Sequence, residues 1–345
     1  MVISYQSYRL KFKIPGGTSR GVLTEKETFL IRLKMEDEKE TEFFGEIGLF
    51  RGLSFEDQPD FEQNLASICT HFDFENENWW ENLRNYPSIQ FGLEQIIRAK
   101  EIYLDKKPED EFNPIFFPSA FTENQAGIPI NGLIWMGDPS FMKSQIREKL
   151  EQKFSCLKLK IGVNWEEEHQ ILKQLRKEFS AEQLEIRVDA NGAFDFETAK
   201  VVLEQLAELE IHSIEQPIKA GQIQEMAALC VHTPTPIALD EELIGVVQLE
   251  EKKKLMDTIK PQFIILKPSL VGGWKGSREW IDIAENQNAD WWITSALESN
   301  IGLNAIAQWT YTLGNTMPQG LGTGGLFENN FYSRLQVREG NLCFI

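Results

Sequence analysis

A rhythm of charged strand ends constrains this chain more than any other feature. Five short apolar runs finish on an acid or a base: Leu157-Lys158-Leu159-Lys160, Ile186-Arg187-Val188-Asp189, Ser213-Ile214-Glu215, Ala238-Leu239-Asp240 and Ile264-Ile265-Leu266-Lys267. The charged ends at 160, 189, 215, 240 and 267 are separated by 29, 26, 25 and 27 residues. Each interval accommodates one strand, one helix and two loops, which is a βα repeat. In a closed (β/α) barrel all such strand ends meet at one rim, where these folds keep their active sites.

Length permits a barrel of about 250 residues plus a second, smaller unit. Residues 1–125 break the rhythm. Strand patterns come first, over Tyr8 to Ile14, Glu27 to Lys34 and Thr41 to Ile47, followed by helical periodicity from Ser88 to Lys100. Strands followed by helices predict a separate α+β capping domain. The acidic, aromatic stretch from Phe55 to Trp80 carries no assignable period. The barrel is expected over 126–326, its first strand near Pro129 to Trp135 and its last two over Asp290 to Ser295 and Met317 to Leu321, which makes about eight. Asp138-Pro139 reads as a helix cap and first turn. The tail, 327–345, is expected to pack back on the capping domain.

Side chains two apart on a strand share a face. Lys158 and Lys160 therefore point together into the barrel, as do Arg187 and Asp189. Buried lysines are costly unless carboxylates or a metal organise them. Asp189, Glu215 and Asp240, on three successive strands, offer only hard oxygen ligands, a set that suits Mg²⁺. Lys160 is the candidate base, and Lys267, arriving from the far side, its electrostatic partner. A net charge of −18 argues against a nucleic-acid partner. No run approaches the ~20 apolar residues of a membrane span. The cytoplasm is the expected compartment, a small carboxylate the expected partner, and oligomeric state is not legible. The four cysteines form no Cys-x-x-Cys pair, and His71, His169, His212 and His232 are scattered.

These residues resemble the enolase superfamily, in its muconate-lactonising branch. The family's Lys-x-Lys, Asp, Glu, Asp and final Lys fall on Lys158 and Lys160, Asp189, Glu215, Asp240 and Lys267. Within it the chain is similar to the o-succinylbenzoate synthases of menaquinone biosynthesis. That likeness is carried by Ser295-Ala296-Leu297-Glu298-Ser299-Asn300-Ile301-Gly302-Leu303, by Gly45-Glu46-Ile47-Gly48 and by Gly52-Leu53-Ser54. The resemblance implies a Mg²⁺-dependent lyase that dehydrates 2-succinyl-6-hydroxy-2,4-cyclohexadiene-1-carboxylate. Lys158 would help hold carboxylate charge, and Arg187, Asn191, Ser295, Glu298 and Ser299 would face the substrate. Ser299 and Asn300 read equally well as plain helix caps. Loops near Gly16 to Arg20 and Leu49 to Leu53 would close over the substrate. An N-succinylamino acid racemase using Lys160 and Lys267 on opposite faces is the alternative, ahead of a muconate cycloisomerase. A barrel that binds a carboxylate without turning it over is the alternative of another class, and the intact lysine and carboxylate positions argue against it.

Overall fold

The computed structural model describes residues 1–18, 21–36, 41–103 and 111–345. Three long antiparallel strands open the chain: β1 (Val2–Thr18), β2 (Gly21–Lys34) and β3 (Glu42–Ile47), in that order across the sheet. Helices α1 (Phe61–His71) and α2 (Pro87–Ile102) follow. The unassigned aromatic stretch thus contains α1. Its Phe61, Leu65 and Cys69 are buried, a spacing of four that short flanks obscured in the sequence. Helix α2 buries Ile89, Phe91, Leu93 and Ile96, packs on β2 and β3, and reaches the helices of the second half.

Next come β4 (Gly127–Pro129) and β5 (Gly132–Ile134), then α3 (Pro139–Glu151), β6 (Cys156–Lys160), α4 (Trp165–Glu178), β7 (Glu185–Asp189), α5 (Phe196–Ala207), β8 (Ser213–Glu215) and α6 (Ile223–His232). The series continues with β9 (Ile237–Leu239), α7 (Leu249–Ile259), β10 (Phe263–Leu266), the short α8 (Pro268–Val271), α9 (Gly273–Asn286), β11 (Asp290–Ile293) and α10 (Asn300–Thr312). Strands β5 to β11 form one curled parallel sheet of seven, in chain order. The helices bury the stripes their spacing prescribes: α4 covers the sheet with Ile171, Leu172 and Leu175. Asp138 caps α3, its carboxylate accepting from the N–H groups of Ser140 and Phe141 at 2.9 and 3.1 Å.

Two sequence expectations need correction. Residues 317–321 form no continuous strand; instead, Gln319 bridges Ile130 and Gly320 bridges Thr294, both in parallel sense. These two contacts lie between the outer strands β5 and β11. The chain before β5 splits in two: β4 pairs with the terminal hairpin of β12 (Leu335–Arg338) and β13 (Asn341–Phe344), not with the parallel sheet. The tail therefore has two attachments. Residues 326–329 run along β1, where Lys13 N–H donates to the Leu326 carbonyl and Glu328 N–H to that of Lys11. The hairpin sits beside β4. No helix among the described residues is long and apolar enough to cross a membrane.

Candidate active site

Parallel register brings the charged strand ends together. Lys160 lies opposite Asp189 across β6 and β7, and Asp189 opposite Glu215 across β7 and β8. Asp240 and Lys267 each stand one residue beyond a strand, β9 and β10. The three carboxylates are almost wholly shielded from solvent. Lys158 Nζ lies 3.0 Å from Asp189 Oδ2 and also contacts Glu215 Oε2. Lys160 Nζ donates to Asp189 Oδ2 at 2.6 Å and to Asn191 Oδ1 at 2.7 Å. Lys267 pairs with Asp240.

These contacts set the protonation states. Burial opposes ionisation of Asp189, but the ammonium groups of Lys158 and Lys160 outweigh it and hold the carboxyl below its usual range. Burial likewise disfavours charge on Lys158 and Lys267. The surrounding carboxylates, Asp189 and Glu215 for one and Asp240 and Glu215 for the other, reverse that and keep both lysines cationic. Glu215 goes the other way: burial first, and then Asp189 beside it, push its carboxyl well above the ordinary range. Neither Glu215 oxygen receives a well-directed hydrogen bond.

Among the described residues, no three acidic, histidine or cysteine side chains form a ready-made coordination sphere; the lysines hold their oxygens instead. The donor set nevertheless fits a hard divalent cation. Three buried carboxylates end adjacent strands, and the central one is poorly satisfied and destabilised by its acidic neighbours. Positive charge at that point would relieve both penalties.

The backbone around the cluster is locked in unusual conformations. Asn191, Gln216 and Leu297 have φ of 46°, 42° and 61°, a region that non-glycine residues occupy only when the surroundings over-determine it. Gln216 is fully buried; its Oε1 accepts from the N–H groups of Asp240 and Glu242, and its Nε2 donates to Ile218 O and Glu242. It fixes the loops after the strands that carry Glu215 and Asp240. Its place beside Glu215 was visible in the sequence, but its partners were not.

Above the cluster opens a cavity of ≈ 330 Å³. Lys158, Lys160, Asp189, Asn191 and Lys267 form its floor, and Ser295 is on its wall. Val22, Leu23, Phe50, Arg51 and Leu53 close it from the N-terminal sheet and loop. Of the first predicted closing segment, Ser19 and Arg20 lie outside the described residues. Arg51 is tied down by Glu27 and Asp57 at 2.7 and 2.8 Å.

Three expected substrate contacts lie elsewhere. Arg187 is one strand step below the cluster. Its guanidinium stacks 4.1 Å from the Trp292 ring centroid and donates to Glu185 and to the Pro318 carbonyl, so it packs inside the curled sheet and does not line the cavity. Glu298 accepts from Ser269 Oγ and Ala296 N–H. Ser299 caps α10 and is itself held by Glu46, through its N–H at 2.9 Å and its Oγ at 2.5 Å. Glu46 also accepts from Gly302 N–H at 3.0 Å. The glycines of the two motifs follow from this contact: a Cβ on Gly302 would lie 2.8 Å from Glu46 Oε2, and one on Gly48 would lie 2.5 Å from Ser269 Oγ.

Residues 142–343 match the family of enolase C-terminal domain-like proteins. An o-succinylbenzoate synthase of Desulfotalea psychrophila is 42% identical, over 99% of this chain and 98% of its own. The chain belongs to the o-succinylbenzoate synthase family of the enolase superfamily. The crystal structure of MenC from Desulfotalea psychrophila superposes with a TM-score of 0.85 at 39% identity, covering 99% of both chains. An N-succinylamino acid racemase of Thermus thermophilus is 29% identical over 46% of this chain and 40% of its own length. Like its family, this chain is a lyase of the enolase-superfamily type, a group that works with a divalent metal.

Proposed function

We propose that this chain converts 2-succinyl-6-hydroxy-2,4-cyclohexadiene-1-carboxylate to 2-succinylbenzoate by removing water. The observation that carries the reading is the order lysine, three carboxylates, lysine around one cavity floor, in a chain 42% identical to an o-succinylbenzoate synthase. The fold behind it is a closed barrel over 126–326, in which 317–321 takes the eighth position through its bridges to Ile130 and Thr294. Residues 1–125 form its cap, and 327–345 strap the two together.

Asp189, Glu215 and Asp240 would hold Mg²⁺, which supplies a Lewis acid against the negative charge that develops on the substrate carboxylate. A lysine base beside Mg²⁺ is a pattern established for enolase-superfamily sites. Proton removal is assigned to Lys160, whose Nζ is positioned at the cavity floor by Asp189 and Asn191. Lys160 takes the proton next to the ring carboxylate. Lys267 faces the developing charge as a fixed cation from the opposite strand, and Lys158 holds the carboxylate end. The hydroxyl on the neighbouring carbon then leaves with its bonding electrons, takes the proton from Lys160, and departs as water. The ring becomes aromatic, which drives the second step.

The assay is loss of the substrate's diene absorbance with Mg²⁺ present. Turnover is expected, with a fall of about 10²–10⁴ in kcat for Lys160→Ala; no turnover by the intact protein would defeat the assignment. Racemisation of N-succinylamino acids is the second reading, favoured by Lys160 and Lys267 standing on opposite strands. It requires Lys267 to exchange protons, so Lys267→Arg would abolish racemisation, and hydrogen–deuterium exchange at the α-carbon would report it.

A further inference from the structure

Asn131 has no role in the scheme above. It stands immediately before β5, and period-two alternation puts it on one face with Leu133 and Trp135. All three line the cavity. Asn131 is 5% exposed, and its Oδ1 is fully buried without a hydrogen-bond partner. Its side chain makes no hydrogen bond among the described residues, although its backbone N–H is spent on the Gln319 carbonyl. A buried carboxamide facing a cavity with nothing to bond is satisfied by a ligand or costs stability.

The position identifies the ligand atom. Around the ring of strands the acid cluster occupies β7 to β9, while Asn131, Thr294, Ser295 and Thr323 make the wall across from it. That wall is uncharged and short of donors. Thr294 Oγ1 donates to the Gly320 carbonyl, and the Ser295 and Thr323 hydroxyls are bonded to each other at 2.6 Å. Arg51, the guanidinium lining the cavity from above, is neutralised by Glu27 and Asp57. A neutral oxygen suits such a wall better than a second carboxylate.

We propose that Asn131 is a specificity-determining residue that donates a hydrogen bond from its carboxamide to the ketone oxygen of the substrate's succinyl arm. This rests on the functional reading above: with the ring carboxylate at the acid cluster, the arm on the adjacent ring carbon extends across to this wall. Nδ2 has no hydrogen-bond partner and, unlike Oδ1, is not fully buried, so it is the amide atom that meets the cavity and can donate there as it stands.

Calorimetric titration of the Mg²⁺-loaded protein tests it without turnover. The ligands are the product, 4-(2-carboxyphenyl)-4-oxobutanoate, and its deoxo analogue, 4-(2-carboxyphenyl)butanoate. The intact protein is expected to prefer the ketone by about tenfold, the size of one good hydrogen bond. Asn131→Ala should bring that ratio close to one while leaving the affinity for the deoxo ligand nearly unchanged. Asn131→Leu, which keeps the bulk, should do the same and covers the case in which the smaller residue fails to fold. A ratio undiminished in a folded variant overturns the role of Asn131 alone. If the intact protein binds neither ligand, the functional reading falls and takes this inference with it.

Discussion

At the scale of single residues, the charges that end strands were legible because period-two alternation and a fixed repeat both point them inward. Depth was not legible. Arg187 shares a face with Asp189 but lies one step lower, where Trp292 and Pro318 occupy it. Glu298 and Ser299 sit in a recognisable motif, yet their partners, Ser269 and Glu46, are 29 and 253 residues away. Glu46 shows what such distance hides. It is fully buried, accepts from Thr28, Ser299 and Gly302, and joins the first sheet to the start of α10. Glu46→Ala would leave several buried donors unpaired at once. A loss of about 3–5 kcal/mol is expected, as for removal of one member of a buried charged network. Urea unfolding measures it, and a change below 1 kcal/mol would mean the contact is incidental.

Among elements, helix starts were read well where the cap is local, as at Asp138, and poorly where it is borrowed. Helix α2 gets no side-chain cap from Tyr86; Glu56 reaches in and accepts from Ser88 N–H at 2.6 Å. Helix α9 follows glycines, and its Trp274 and Lys275 N–H groups donate to Glu94 of α2 at 2.5 and 3.1 Å. A sequence pattern cannot register a cap whose donor and acceptor belong to different elements. The borrowed cap at α2 has a pH signature. Burial raises the Glu56 carboxyl to about 7, against the opposing pull of Ser88, and its second oxygen has no partner. A carboxyl raised on folding binds its proton more tightly in the folded chain. Its contribution is therefore most favourable below the ordinary carboxylate pKa and declines as pH rises to about 7. From pH 5 to 8, unfolding free energy should fall by roughly 2–3 kcal/mol through this group, at 1.36 kcal/mol per unit. Glu56→Gln should flatten that slope; an unchanged slope would place the titration elsewhere.

For the whole molecule, the βα rhythm disclosed the parallel sheet and its charged rim because every repeat carries the same period. The seam it did not disclose, the terminal hairpin beside β4, is made by a segment with no period of its own, whereas 317–321, marked as a last strand, meets its neighbours through single bridges to Ile130 and Thr294. On the proposed function, metal binding belongs to this scale, since Asp189, Glu215 and Asp240 would bring its ligands from three successive repeats. Mg²⁺ held by the folded chain alone would add about 2.7 kcal/mol at a hundredfold excess over its Kd. The midpoint of thermal unfolding should rise by several degrees and return on chelation; Glu215→Gln should blunt the rise. A midpoint indifferent to Mg²⁺ in the intact chain would count against the cation site. The stacked Arg187 and Trp292 carry a last consequence. They stopper the lower end of the sheet, among the packed Ala238 and Ile265, so among the described residues the cavity has a floor below the acid cluster and Val22, Phe50 and Leu53 on its far side. Whatever lies deepest must arrive first and leave last. On the proposed function, a Mg²⁺ ion on the acid cluster would bind before the organic acid and be released after the product.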